Sequence, residues 1–136
     1  MSNDSSKSAH GNTFKESVLI FLKTLKNEGI IEIIQIGKRF GQFYSTFLVT
    51  YKGDVYAIFT TTSARSDRIK ENQWDAWGIK NSSTKTTSCL VLLPDYLSEK
   101  EFDNFIAEKN RIKSEGYISS IDDIIQLKDL KNIFIK

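Results

Sequence analysis

The sequence is sparing with the residues that most often announce a chemistry. Its 136 residues include one cysteine, one histidine and one proline. A lone cysteine, Cys89, excludes an intrachain disulfide and any metal site built on cysteines. It lies in the apolar run CLVLL, where a small buried hydrophobe is expected, since free cysteine is commonly buried. With His10 the sole histidine, a zinc centre or a histidine-activated nucleophile lacks its groups. The net charge is only +2. Strong overall basicity, which by itself would point to nucleic acid, is missing, so a binding surface has to come from a local arrangement of charge. No apolar run approaches the roughly 20 residues that cross a bilayer. The polar N-terminus carries no signal-peptide core, and a soluble, cytoplasmic protein is the expectation. Neither G-x-x-x-x-G-K-[ST] nor G-x-G-x-x-G occurs, so nucleotide-cofactor binding has no motif.

What is present suits one globular unit. Apolar residues make up 40% and charged residues 26% of the chain, a balance and a length that suit a single domain with a real core. Residues 1–12, rich in Ser and Asn, read as a disordered tail, with one α/β domain over residues 13–136. Phe14, Val18, Phe21, Leu22 and Leu25 share one helical face, which predicts a helix over 13–27, started by Asn12 or Thr13 and ended by Gly29. Residues 30–36 read as a strand, 37–41 as a basic turn, and 43–51 as a second, aromatic and β-branched strand. The Lys52-Gly53-Asp54 turn leads into a third strand over 55–61, antiparallel to the second. Ser66 can cap a helix that reaches about Trp77, with Gly78 as its stop. The CLVLL run, apolar on both faces, fits a buried central or parallel strand. Ser98 and Glu101 form a capping-box pattern for a helix to about Lys113, ended by Gly116, which buries Phe102, Phe105 and Ile106. Residues 120–126 and 128–134 read as one or two short helices, with a final edge strand at 132–135 as the alternative.

The stretch 54–80, DVYAIFTTTSARSDRIKENQWDAWGIK, holds most of the candidate chemistry. An apolar strand breaks into Thr60, Thr61, Thr62 and Ser63. Arg65, Asp67, Arg68, Lys70, Gln73 and Asp75 follow, with Trp74 and Trp77 among them. Hydroxyls, amides at a helix start and arginines together make a phosphate-binding edge, which Lys80 and Lys85 would extend. Gln73 is of the type that reads adenine in the major groove. Trp74 and Trp77, three apart, share roughly one helix face; core or interface packing is expected ahead of base stacking. Asp54 suits a turn by local hydrogen bonding. Glu16 suits a helix start through the dipole.

Three stretches, with the order helix, three antiparallel strands, helix, strand, helix, resemble the PD-(D/E)XK nuclease superfamily, and within it the type II restriction endonucleases. HGNTFKESVLIFL is similar to the first helix of such nucleases and puts Glu16 at the place of an acidic residue that often lies there. TTSARSDRIKENQWDAWGIK is similar to a TTS-x-R-x-DR-x-K-x-x-QWDA block followed by x-x-IK, as in several restriction enzymes. SSIDDIIQLKDL is similar to the closing segment of related chains. The resemblance implies an α/β fold, a small mixed sheet flanked by helices in α-β-β-β-α-β-α order. It also implies Mg²⁺-dependent phosphodiester hydrolysis, with two carboxylates for the metal and a lysine for the attacking water.

The chain departs from that pattern at both catalytic strands. Tyr44-Ser45-Thr46-Phe47 stands around the position of the family's first Asp, and Phe59-Thr60-Thr61 stands at E-x-K. Three explanations are open: migrated carboxylates, one part of a larger enzyme, or a nuclease fold that kept binding and lost chemistry. In the first, Asp54, Glu16 and Asp67 are the metal ligands, and Lys70 and Asp67 the catalytic pair. Arg65, Arg68, Gln73, Lys80, Thr61 and Ser63 then contact DNA, and a homodimer would match a palindromic site. In the last, the chain is an inactive DNA-binding or protein-interaction accessory of a defence system.

Overall fold

The computed structural model describes residues 3–62, 66–82, 86–114 and 120–134. Among them the order is α1 (Asn3–Asn27), β1 (Ile33–Phe40), β2 (Phe43–Tyr51), β3 (Asp54–Thr60), α2 (Ser66–Ser82), β4 (Thr86–Leu93), α3 (Glu99–Ser114), β5 (Asp123–Gln126) and α4 (Leu130–Phe134), with a short 3₁₀ turn at Leu127–Asp129 before α4. The five strands form one mixed sheet in the order β1-β2-β3-β4-β5. β2 is antiparallel to both neighbours, while β3, β4 and β5 run parallel. The α/β class and the element order expected from the sequence are therefore present.

The turns explain the antiparallel half. Lys52 and Gly53 form a two-residue hairpin loop, both with positive φ (48° and 84°), as a type I′ turn requires. The parallel half needs crossovers, which α2 and α3 supply. Side-chain alternation then builds two cores. On one face of the sheet, Phe47, Val49, Ile58, Leu90, Leu92 and Ile125 pack against Phe14, Val18, Leu22 and Leu25 of α1 and Leu130 and Phe134 of α4. On the other, Ala57, Phe59, Cys89, Val91, Leu93 and Ile124 pack against Ile69, Ala76 and Ile79 of α2 and Phe105 of α3. The CLVLL run is apolar on both faces because both faces are covered. Cys89 is fully buried, and burial pushes its thiol pKa up to about 12, so it behaves as the small hydrophobe expected.

Several boundaries differ from expectation. α1 begins at Asn3, not near Thr13, and takes in most of the stretch read as a tail. β1 continues through Gly37-Lys38-Arg39-Phe40, and the turn is only Gly41-Gln42, since Phe40 pairs Phe43 and Gly41 supplies the positive φ. α2 does not stop at Gly78. It runs to Ser82, because Gly78 is a contact point and not a terminator: a Cβ there would fall on the Phe43 ring. Residues 123–126 are strand β5, not helix, because the open edge of β4 pairs Leu90–Leu93 with Asp123–Gln126. The edge strand considered at 132–135 is replaced by α4. The expected Ser98 cap is present, with the Glu101 amide donating to Ser98 Oγ at 3.2 Å, while the Glu101 carboxylate accepts from the Ser98 hydroxyl at 3.2 Å. Gly116 and Lys85 lie outside the described residues. Among those described, no helix is long and apolar enough to cross a membrane.

Candidate functional site

The crevice at the carboxyl ends of parallel strands is where open α/β sheets usually place their sites. Here that end gathers Thr60 and Thr61 from β3 and its exit, Leu93 and Pro94 from β4, the N-terminus of α2 and the start of β2. The Thr61 amide donates to the Leu92 carbonyl at 3.2 Å, which holds the exit of β3 beside β4. On β2, residues 44–47 end at the Phe47–Ile58 pair, and on β3 Phe59 follows Ile58, so the two places at which the resemblance implies carboxylates, 44–47 and Phe59, adjoin in space. Ser45 is fully buried. Its hydroxyl lies within hydrogen-bonding distance of two backbone carbonyls, Phe47 (2.5 Å) and Ile58 (3.3 Å). It is thereby turned inward, into the sheet.

The proposed carboxylates do not converge on this end. Asp54 opens β3 and Thr60 closes it. At about 3.3 Å per residue the two ends of β3 are roughly 20 Å apart. Asp67 sits in the first turn of α2, beyond the Thr60 end, so a shared ion for Asp54 and Asp67 is a reading the fold corrects. Glu16 is exposed on α1, close in sequence to residues that reach the Pro94 segment. Among the described residues no three of His, Cys, Asp and Glu stand together as metal ligands. Mg²⁺ takes hard oxygen donors, carboxylates above all; Ser45 offers only a neutral hydroxyl there, and Phe59, at the glutamate position of E-x-K, is a buried ring with no donor atom. The residues at these strand ends do not fit the ion.

The candidate DNA contacts divide. Arg68 and Lys70 lie on the first turns of α2, at the Thr61 end; Arg68 is exposed and pairs weakly with Glu71 at 4.0 Å. Ser63 and Arg65 lie outside the described residues, as does the side chain of Asp67. Gln73 is not on the surface. It is 4% exposed and its Oε1 accepts the Ser120 amide at 3.1 Å, tying α2 to the segment that enters β5. The reading of Gln73 as a base reader is overturned by that burial. Lys80 lies near the opposite end of α2 and pairs with Asp122 at 2.7 Å. The same Asp122 oxygen accepts the Cys89 amide at 2.7 Å. Lys80 is a staple between α2, β4 and the entry to β5, far along the helix from Arg68 and Lys70.

Asp75 belongs to the polar cluster of the sequence, which assigns it no role. In the fold its Oδ1 accepts the Tyr44 amide at 3.2 Å, fixing the start of β2 to α2. Burial raises its pKa, the Tyr44 hydrogen bond lowers it, Glu71 raises it and Arg39 lowers it, with the upward causes prevailing. A carboxyl raised in the folded state contributes stability below its ordinary value of 3.8 that is lost as pH rises through the folded value. Asp75→Asn keeps an acceptor for Tyr44 and removes the charge. We expect it to match or exceed the parent in stability at neutral pH and to lose this decline above pH 3.8, as read by urea unfolding across a pH series. A variant weaker than the parent at neutral pH would show instead that the charge is held by Arg39. Only the fold exposes this contact, since Tyr44 and Asp75 are 31 residues apart.

Two further features lie at this end of the molecule. Phe43, Trp74 and Trp77 form an aromatic group. Trp74 and Trp77 are stacked at 5.6 Å and 19°, and Phe43 meets Trp74 at 5.3 Å and Trp77 at 6.2 Å. On the other face of the sheet, Thr13, Phe14 and Ser17 of α1 face Pro94, Asp95, Tyr96 and Leu127 across an open cavity of about 530 Å³. No protein-family model matches this chain, and no curated protein or solved structure matches it.

Proposed function

We propose that the chain is a DNA-binding protein on the restriction-endonuclease plan that does not itself cut, acting as an accessory or regulatory member of a defence system. One observation carries the reading. At the adjoining strand ends where that plan needs carboxylates, the chain has Ser45, turned inward on two carbonyls, and the buried ring of Phe59. The element order supports the plan, and the TTTSARSDR edge supports the binding. A helix N-terminus beside hydroxyls attracts phosphate through its free amides and its dipole, and Arg68 and Lys70 add positive charge there.

Binding of this kind is dominated by phosphate contacts and falls steeply with salt. The purified protein should retard duplex DNA at low salt and leave plasmid uncut in Mg²⁺ or Mn²⁺. Arg68→Ala and Lys70→Ala should each weaken binding evenly across sequences and reduce the salt slope by about 1. Discrete, metal-dependent fragments that vanish in Asp67→Ala and Lys70→Ala would replace this reading with a cleaving one. Absence of both binding and cutting would point to a protein-interaction domain. The second reading, a restriction-type endonuclease or a part of one, is favoured by Asp67 and Lys70 standing one helical turn apart at the right end of the sheet. Its carboxylates would then have to come from beyond the described strand ends, for which a homodimer is one source.

A further inference from the structure

We infer that the exposed face of Trp74 is a stacking platform for an unpaired nucleobase, an inference that rests on the DNA-binding reading and adds single-stranded DNA as the substrate class. Trp74 is 53% exposed, although its ring is among the largest apolar surfaces of the chain. One side of the indole is occupied by Trp77, nearly parallel to it, and Phe43 leans on it at 59°. The two ring contacts hold the indole in one orientation, and about half of the side chain stays open to solvent. A rigid aromatic face open to solvent is what a splayed base requires, and every base has a π-face to offer.

The charge around the ring matches that occupant. Lys70 lies one helical turn before Trp74 on the same face of α2. Arg68, nearly two turns before Trp74 and about a third of the way round the helix from it, is exposed. Arg39, on the edge strand, lies over the Tyr44 ring at 5.2 Å and acts on Asp75, the residue after Trp74. Among the described side chains two acids, Glu71 and Asp75, lie near Trp74. Glu71 stands 4.0 Å from Arg68 in a weak, exposed pair, and Asp75 accepts the Tyr44 amide. Cations flanking an open indole suit a chain that alternates phosphate and base. In a duplex the base faces are hidden in the stack, so the platform selects single strands.

The test is a titration of the full chain with short oligothymidylate and with a duplex, at low salt, following tryptophan fluorescence. Stacking on an indole should quench the signal. Trp74→Ala should weaken oligothymidylate binding by roughly tenfold or more, the usual range for loss of a base–aromatic stack. Trp74→Phe should retain most of the affinity, with both variants keeping the parent's thermal transition. Single-strand affinity unchanged in Trp74→Ala overturns the platform. If duplex binding persists and still responds to Arg68→Ala, the platform fails while the DNA-binding reading stands. If neither nucleic acid binds, both fail. Self-association of the free protein that Trp74→Ala abolishes would assign the face to a second copy instead. Should Trp74→Ala not fold, the comparison passes to Trp74→Phe against a Trp77→Phe control, where quenching lost only in the former supports the platform and quenching kept in both overturns it.

Discussion

Replacing Phe47 by alanine should cost about 3–5 kcal/mol, the usual loss on deleting a fully enclosed aromatic ring. Phe47 is completely buried on β2, where it belongs to the core between the sheet and α1 and α4. Surroundings relax only partly around a deleted core ring, so α1 and α4 are expected to leave part of the space empty. A domain of this kind is stable by roughly 5–15 kcal/mol in total, so the loss is a large share of the whole. Urea unfolding should show the midpoint falling sharply. The control is Ile36→Ala, which shortens the cross-strand partner of Phe47 on β1. Ile36 is 58% exposed, so its change should stay within about 0.5 kcal/mol. Similar losses at the two positions would mean that the face on which both lie is not covered as described.

The second large effect is expected at Gly78. In an exposed helix, glycine to alanine stabilises by about 1 kcal/mol. Here the added methyl would coincide with the Phe43 ring, in the first residue of β2. The ring has to move bodily, and it carries contacts to both Trp74 and Trp77. Overpacking of this kind costs about 1–3 kcal/mol, and the lost ring contacts add to it, so Gly78→Ala should destabilise. The cycle with Phe43→Leu identifies the cause. In the Phe43→Leu background the same glycine change should be nearly neutral, a coupling that chemical denaturation of the four proteins measures directly. Equal losses in both backgrounds would place the clash elsewhere. The aromatic group that Phe43 helps to hold is also the proposed base platform, so stability and binding are linked at this residue.

Much of the architecture was legible because it rests on local patterns. The 3.6-residue spacing of Phe14, Val18, Leu22 and Leu25 identified the buried face of α1, and the alternation in 43–51 identified β2. CLVLL announced a strand covered on both sides. Ser98 and Glu101 announced the start of α3. Misreadings arose where a tertiary partner overrode a local signal. Gly78 reads as a stop, but in the fold it makes room for Phe43. Residues 123–126 have a helix-like apolar stripe, but the edge of β4 recruits them as a strand, with Leu90 paired to Asp123. The stretch of glycine and basic residues after Ile36 reads as a turn, but pairing with β2 keeps it in the sheet to Phe40.

The candidate site was legible as composition and not as geometry. The sequence by itself determined that no carboxylate stands where the nuclease pattern has them, and that the charge and aromatic groups concentrate between Thr60 and Lys80. It also determined the α/β class, through periodicities set by each segment's own backbone. Only the tertiary structure decided which of those groups share a surface. It separated Asp54 from Asp67 by the length of β3, buried Gln73 against Ser120, and committed Lys80 to Asp122. It also joined Asp75 to Tyr44 and left Trp74 facing outward. The physical reason is that these relations depend on strand direction, helix rotation and burial, which arise from contacts between residues distant in the chain.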